Sequence, residues 1–218
     1  MNSRLDFSAI NEGSTQNKAF IMIHGWKGNK DSFKSIPKIL DIPNCKWYAP
    51  EAPFVVNKDE NQKTWTYEKS PGVWEIEKPK AMLLDFIKNE VFNTFDPGDT
   101  YVMGFSQGAA ICYRLVLSLE YTLGGVFPIG GFIRSYPNQK DNEIKLNISP
   151  SQKDTPILIG HGKDDDVIPV EASKLAYKLL KKKCSNVDLH IYNGRHKISI
   201  EYLKKVRQLV MDKEVINI

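Results

Sequence analysis

The stretch Thr100–Gly108, TYVMGFSQG, decides how the rest of the chain is read. A run of strand-favouring residues enters Gly104-Phe105-Ser106-Gln107-Gly108, and Gln107 to Leu119 continues with helix formers, AAICYRLVLSL, that few polar residues interrupt. A G-x-S-x-G at a strand-to-helix junction is the pattern of a nucleophile elbow. So sharp a turn needs residues without bulk on either side of the serine, because a Cβ there would strike the neighbouring strand or helix. The strained turn holds the hydroxyl above a sheet. At the helix N-terminus the backbone N–H of Gln107 is aimed at an anion.

Working outward, KAFIMIH at Lys18–His24 is a short apolar run that ends in Gly25, the form of a strand buried on both faces. Lys46–Ala49 is a weaker strand candidate stopped by Pro50, Gly125–Ile129 and Pro156–His161 are further strands, and Val187–Tyr192 is another. Between them, Pro79–Phe95, Gln107–Leu119, Val170–Lys183 and Ile198–Met211 carry apolar residues at helical spacing. The stretch 131–155 is rich in Asn, Ser, Lys, Gln and Pro and reads as a polar surface excursion. Alternating strands and helices joined by short turns predict an α/β architecture, a mainly parallel sheet with helices on both faces. The length, 218 residues, suits one domain over 1–218. In such sheets ligands lie beyond the carboxyl ends of the strands, where His24-Gly25-Trp26, Ser106, an aspartate triplet and His196 all fall.

Composition excludes several classes. With 41% hydrophobic residues the chain can bury a core, and 30 Lys plus Arg against 26 Asp plus Glu leave a net charge of +4. The one basic run, Lys181-Lys182-Lys183, reads as a solvated helix end, so no nucleic-acid partner is expected. Three cysteines, Cys45, Cys112 and Cys184, stand far apart in no metal or disulfide spacing. The N-terminal residues lack a signal-peptide pattern, and no apolar run approaches the ~18 residues of a membrane helix. A cytoplasmic protein without stable membrane insertion is expected.

A serine hydroxyl is a poor nucleophile unless a base takes its proton. Of four histidines, His24 and His161 each precede a glycine at a strand end, where a structural role is more natural, and His190 alternates within a strand. His196, after Gly194-Arg195 and before the last helix, is the candidate base. The imidazolium needs a carboxylate, and Asp164, Asp165 and Asp166 follow His161-Gly162-Lys163 in a loop whose pattern does not choose among them. The order Ser, Asp, His is that of α/β-hydrolases. His24-Gly25-Trp26-Lys27-Gly28 supplies a second oxyanion donor, the N–H of Trp26, to face that of Gln107. Phe54, Trp65, Tyr67 and Trp74 are available to wall an acyl site, with Trp65 the candidate substrate-binding residue.

These residues, with IMIHGWKGNKDSF, YAPEAP, GFSQGAAICYRLVL, HGKDDDVIPV and YNGRH, resemble the small α/β-hydrolases grouped as phospholipase/carboxylesterases, which include acyl-protein thioesterases. The resemblance spans about Phe20 to Leu209 and implies the α/β-hydrolase fold. It implies Asp165 as the acid, with Asp166 next, and hydrolysis of a small-molecule acyl ester or thioester with no metal and no organic cofactor. Short- to medium-chain esters are the expected substrates. A lysophospholipase, an acyl-protein thioesterase and a non-catalytic binding protein on the same scaffold are the alternatives.

Overall fold

The computed structural model describes residues 4–71, 73–133 and 146–216. Seven strands form the main sheet: β1 (Phe7–Asn11), β2 (Lys18–Ile23), β3 (Cys45–Pro50), β8 (Thr100–Phe105), β9 (Gly125–Ile129), β10 (Ile157–Gly162) and β11 (Val187–Tyr192). Their spatial order is β1-β3-β2-β8-β9-β10-β11. All pairs are parallel except β1 with β3, where Phe7 faces Pro50 in an antiparallel edge.

The unbroken apolar runs follow from burial on both faces of the sheet. Along β2, Ala19, Ile21 and Ile23 pack with Val102, Val126 and Ile159 under α2 (Glu77–Phe86), α3 (Gln107–Arg114) and α4 (Val170–Leu180). Phe20 and Met22 point the other way, onto Trp47, Tyr101 and Phe127 under α1 (Ile36–Leu40) and α5 (Ile200–Ile216). Side chains alternate across a strand, so a strand covered on both faces has no polar side to show. Each fully buried aliphatic or aromatic side chain contributes about 1.5–3 kcal/mol through the area it removes from water.

Several elements depart from the sequence expectation for identifiable reasons. The expected helix 79–95 is α2 followed by a π turn at Ile87–Val91, where Phe92 N–H donates to Ile87 C=O at 2.9 Å. Ile87 and Val91 are both buried in the core. The helix expected over 107–119 stops at Arg114, and a 3₁₀ turn follows at Val116–Ser118. Leu115, Val116 and Leu117 are consecutive and all buried, which an α-helix, turning 100° per residue, does not achieve against one surface.

Two small hairpins escaped the sequence reading, β4 (Phe54–Asn57) with β5 (Gln62–Thr64) and β6 (Glu68–Ser70) with β7 (Val73–Trp74). So did β1 and the five-residue α1. Residues 134–145 of the expected polar excursion lie outside the described residues. Its described ends are not free surface: Ile133 and Ile148 are buried, and Gln152 is buried with its Nε2 donating to Leu119 C=O at 2.9 Å. Thr155 Oγ1 donates to Gln152 Oε1 at 2.8 Å. Instead of facing solvent, two polar residues of this stretch, Gln152 and Thr155, satisfy backbone groups inside the fold.

The turn between β8 and α3 has the closest approach at any described glycine. Ser106 has φ 55° and ψ −112°, a conformation that a residue with a Cβ adopts only under strain. A Cβ on Gly104 would lie 2.3 Å from Gly108 C=O oxygen, and one on Gly108 would lie 2.0 Å from that of Ile23. Glycine relieves the strain at position 106 even after its greater unfolded-state entropy is counted. We therefore expect Ser106→Gly to exceed Ser106→Ala in stability by about 1 kcal/mol, or about 2–4 °C in Tm. Thermal unfolding of the two variants measures this, and a lower Tm for the glycine variant contradicts the strain.

Candidate active site

Five chain segments meet beyond the carboxyl ends of β2, β8, β9, β10 and β11. Ser106 N–H donates to Ile129 C=O at 2.8 Å, which ties the elbow to the end of β9. The next residue, Gly130, has φ 57°, and a Cβ there would lie 3.3 Å from His196 Cε1 and 3.6 Å from Asp165 Oδ2. The His196 ring also lies against Phe105, with centroids 4.7 Å apart. His196 is thus seated beside the serine turn, walled by the residues that precede Ser106 and follow Ile129. Its ring makes no hydrogen bond to the Ser106 hydroxyl in this state.

Asp165 orients that ring. Its Oδ2 accepts from His196 Nδ1 at 2.7 Å, while Oδ1 accepts the backbone N–H groups of Val167 at 2.9 Å and Ile168 at 2.8 Å. The Asp165 side chain is 1% exposed. Burial pushes its carboxyl up, but the hydrogen bond from His196 and the two N–H groups outweigh this and hold it below the ordinary carboxylate range. With Nδ1 committed to Asp165, Nε2 of His196 remains for a proton from outside.

The three aspartates separate in space. Asp164 is exposed, and Asp166 pairs with Arg195 through Nε at 3.2 Å and through Nη2. Arg195 and Asp166 join the loop after β10 to the loop after β11 at the surface, an arrangement hidden in the one-dimensional pattern. A Cβ on Gly162 would lie 2.3 Å from Arg195 C=O, so this glycine lets the two loops close on each other.

The other histidines are accounted for separately. His161 is fully buried, its Nδ1 2.6 Å from Ser173 Oγ and its Nε2 donating to Ile168 C=O at 2.8 Å. The same Nε2 lies 3.3 Å from Asp165 Oδ2, a contact sequence reasoning missed. His190 Nε2 lies 3.0 Å from Glu201 Oε1, away from the serine turn.

The loop after β2 abuts the elbow. A Cβ on Gly25 would lie 3.2 Å from Ser106 Cβ, so the glycine permits the approach. Trp26 is 61% exposed, with Lys27 Nζ 4.6 Å from its ring centroid. Beside it opens a cavity of about 770 Å³ lined by Trp26, Gln107, Ala110, Ile111, Leu115 and Leu83, among others. Its size lies in the range of small-molecule sites. Trp74 also borders the cavity, whereas Phe54 and Tyr67 pack edge-to-face on each other at 4.7 Å. Trp65 reaches the cavity with only a trace of its surface, being 2% exposed.

The profile of the phospholipase/carboxylesterase family matches residues 6–212. The chain belongs to that family. Among curated relatives, acyl-protein thioesterase 1 of Kluyveromyces lactis is 30% identical over 138 residues, which are 62% of this chain and 59% of that protein. A probable carboxylesterase SOBER1-like protein of Arabidopsis thaliana is 27% identical over 213 residues, covering 90% and 79% of the two chains. Among solved structures, esterase PE8 superposes with a TM-score of 0.78 at 24% identity, covering 96% of this chain and 99% of its own. The Bacillus cereus carboxylesterase gives 0.74 at 17% identity, covering 97% and 95%. The fold is that of the α/β-hydrolases, and the family is one of carboxylesterase and acyl-protein thioesterase-type hydrolases. Among the described residues, no helix is long and apolar enough to cross a membrane.

His24, beneath the loop that carries Trp26, gives a pH-dependent test of this architecture. Burial lowers its pKa from 6.5 to about 4, against the opposing effects of the Gly25 carbonyl and Glu51. Its Nδ1 lies 2.7 Å from Gly25 C=O, and its Nε2 accepts Ala52 N–H at 3.1 Å, which a protonated ring cannot do. The folded state holds fewer protons than the unfolded state between these two values, so stability present above pH 6.5 is lost as the pH falls toward 4. In urea unfolding from pH 7 to 4, His24→Gln should shrink the loss of stability by up to about 3 kcal/mol relative to wild type. Equal losses in the two proteins would contradict the neutral assignment.

Proposed function

We propose that the protein is a serine hydrolase that cleaves short- to medium-chain carboxylic esters or thioesters through an acyl-enzyme. Ser106 is the nucleophile, His196 the base and Asp165 the residue that orients it; the N–H groups of Trp26 and Gln107 form the oxyanion hole. The observation that carries this reading is the 2.7 Å bond between Asp165 and His196, made beside a strained serine turn.

In the first step Ser106 Oγ attacks the acyl carbon while His196 Nε2 takes its proton, and the carbonyl electrons move onto oxygen. The alkoxide is held by the donors at positions 26 and 107, the larger part of the catalysis in such sites. Collapse expels the alcohol or thiol, which receives the proton from His196. Water then repeats the sequence on the acyl-enzyme, releasing the acid and restoring Ser106. Asp165 stays ionised throughout, which its lowered pKa favours. The cavity along α3 accepts the acyl chain, its lining of Leu83, Ala110, Ile111 and Leu115 offering apolar contact. The names of the relatives support both ester and thioester leaving groups, and three free buried cysteines accord with action in the cytoplasm.

Parallel assays with p-nitrophenyl acetate, butyrate and octanoate, and with the matching thioesters, measure the chain-length preference. Wild type should show an alcohol burst and stoichiometric labelling by a fluorophosphonate, both absent in Ser106→Ala. Asp165→Asn should lower kcat by about 10⁴-fold, the cost of the wrong imidazole tautomer. Asp166→Asn, at an exposed pair, should stay within about tenfold of wild type, because exposed ion pairs contribute little. Labelling that persists in a folded Ser106→Ala protein, or equal losses at 165 and 166, would reject the assignment.

A further inference from the structure

The segment 61–66 touches both sides of the proposed oxyanion site, and the triad itself does not call for the contacts it makes. Trp65 Nε1–H donates to His24 C=O at 2.9 Å, with the two rings 5.2 Å apart. Trp65 backbone N–H donates to Gln107 Oε1 at 3.1 Å. Gln107 Nε2 donates to Thr64 Oγ1 at 3.0 Å, and that hydroxyl donates to Thr66 C=O at 2.8 Å. Two further bonds bind this segment to the loop after β2: Lys63 N–H to Gly28 C=O at 2.9 Å and Asn29 Nδ2 to Asn61 C=O at 3.1 Å.

From this geometry we infer that Thr64 and Trp65 form a clamp that sets the position of the two oxyanion donors. Trp65 acts as a positioning residue through His24 C=O and the Gln107 side chain. The inference rests on the serine-hydrolase reading above and adds to it.

The physical argument concerns peptide planes. The N–H of Trp26 belongs to the plane one step beyond that of His24 C=O, so fixing the carbonyl limits how the donor plane can turn. On the other side of the site, the Gln107 side chain is drawn onto Thr64 and Trp65, which anchors the first residue of α3 and with it the second donor. Loops left to themselves sample many orientations, and an oxyanion hole works only when its donors are held in place before charge develops. Both contacts come from Thr64 and Trp65, adjacent residues that are both buried, so the two donors are referenced to each other rather than to separate parts of the fold. Trp65 is 2% exposed, which leaves its ring little surface for substrate and gives its N–H a fixed partner. The clamp adds a positioning part to the little surface that Trp65 lends to the cavity.

The test separates positioning from mere packing. Trp65→Phe keeps most of the apolar ring and deletes the indole N–H. With p-nitrophenyl butyrate, we expect kcat to fall about tenfold or more while KM stays within about twofold, the signature of an interaction that matters only in the transition state. Phenylboronic acid provides a second readout. Its boron accepts Ser106 Oγ while His196 takes the proton, giving a tetrahedral anion whose oxygen occupies the oxyanion site, so its inhibition constant should rise by the same factor as kcat falls. Thr64→Val should show the same pattern, and Thr64→Ser, which keeps the hydroxyl, should restore wild-type kcat.

A folded Trp65→Phe protein with kcat within threefold of wild type, or with only a lowered Tm, overturns the clamp. Should that variant not fold, the Thr64→Val and Thr64→Ser pair is read by the same criteria. Wild-type turnover abolished by Ser106→Ala tests the hydrolase reading independently, so failure of that reading and failure of the clamp give different results.

Discussion

A carbonyl oxygen on Ile23 leaves no room for a side chain at position 108, and everything near the site is arranged around that close approach. Because the first turn of α3 is pressed against the end of β2, the chain leaving β8 must reverse in the space of one residue. Ser106 takes up the reversal with a positive φ that costs energy, and the glycines at 104 and 108 are what make it sterically possible. The consequence is a hydroxyl held on a rigid pedestal, with the loop after β2 brought against it at Gly25. Strain of this kind persists only where the surroundings over-determine the conformation, and here the sheet supplies that on one side and α3 on the other.

Electrostatics at the site follow from burial in the same way. A carboxylate at Asp165 would be costly in an apolar setting, yet both its oxygens are satisfied by hydrogen-bond donors. His196 gains a fixed ring orientation from this arrangement. His161 Nε2 lies 3.3 Å from the same Oδ2 that His196 holds, its ring locked between Ser173 and the backbone of Ile168. Two histidines around one acid thus have different tasks. One is buried within the core packing, and the other stands at the rim with Nε2 free of Asp165.

The hairpin region between β3 and α2 changes in meaning once its contacts are seen. Its aromatic residues invite a reading as substrate contacts, and Trp74 does border the cavity. Trp65 and Thr64 instead bind backbone and side-chain groups of the two segments that flank the serine turn. The serine turn and the proposed oxyanion donors beside it are therefore held from three directions: by the sheet below, by α3 and by Thr64 and Trp65. Rigid support of that kind is what distinguishes a preorganised site from a set of residues that merely lie close together.

The sequence by itself determined the strand-turn-helix around Ser106, the parallel α/β architecture and the candidates His196 and Trp26. Each depends on local rules: apolar runs that need cover on both faces, glycines where a Cβ cannot fit, and a chain order that loops at strand ends preserve. The loop pattern left Asp164, Asp165 and Asp166 undecided and only the family resemblance pointed to Asp165, because three neighbours in a loop differ only in where the backbone points them, and that direction is set by Val167 and Ile168 N–H groups closing on Asp165. Tertiary structure alone decided that Asp166 turns to Arg195, that Gln152 and Thr155 are interior, and that α3 breaks at Arg114 to bury three successive residues. It also decided the partners of Trp65, since a hydrogen bond across 41 residues carries no local signature. Short-range sterics can be read along a chain. Which distant groups satisfy one another depends on how layers pack, and no periodicity records it.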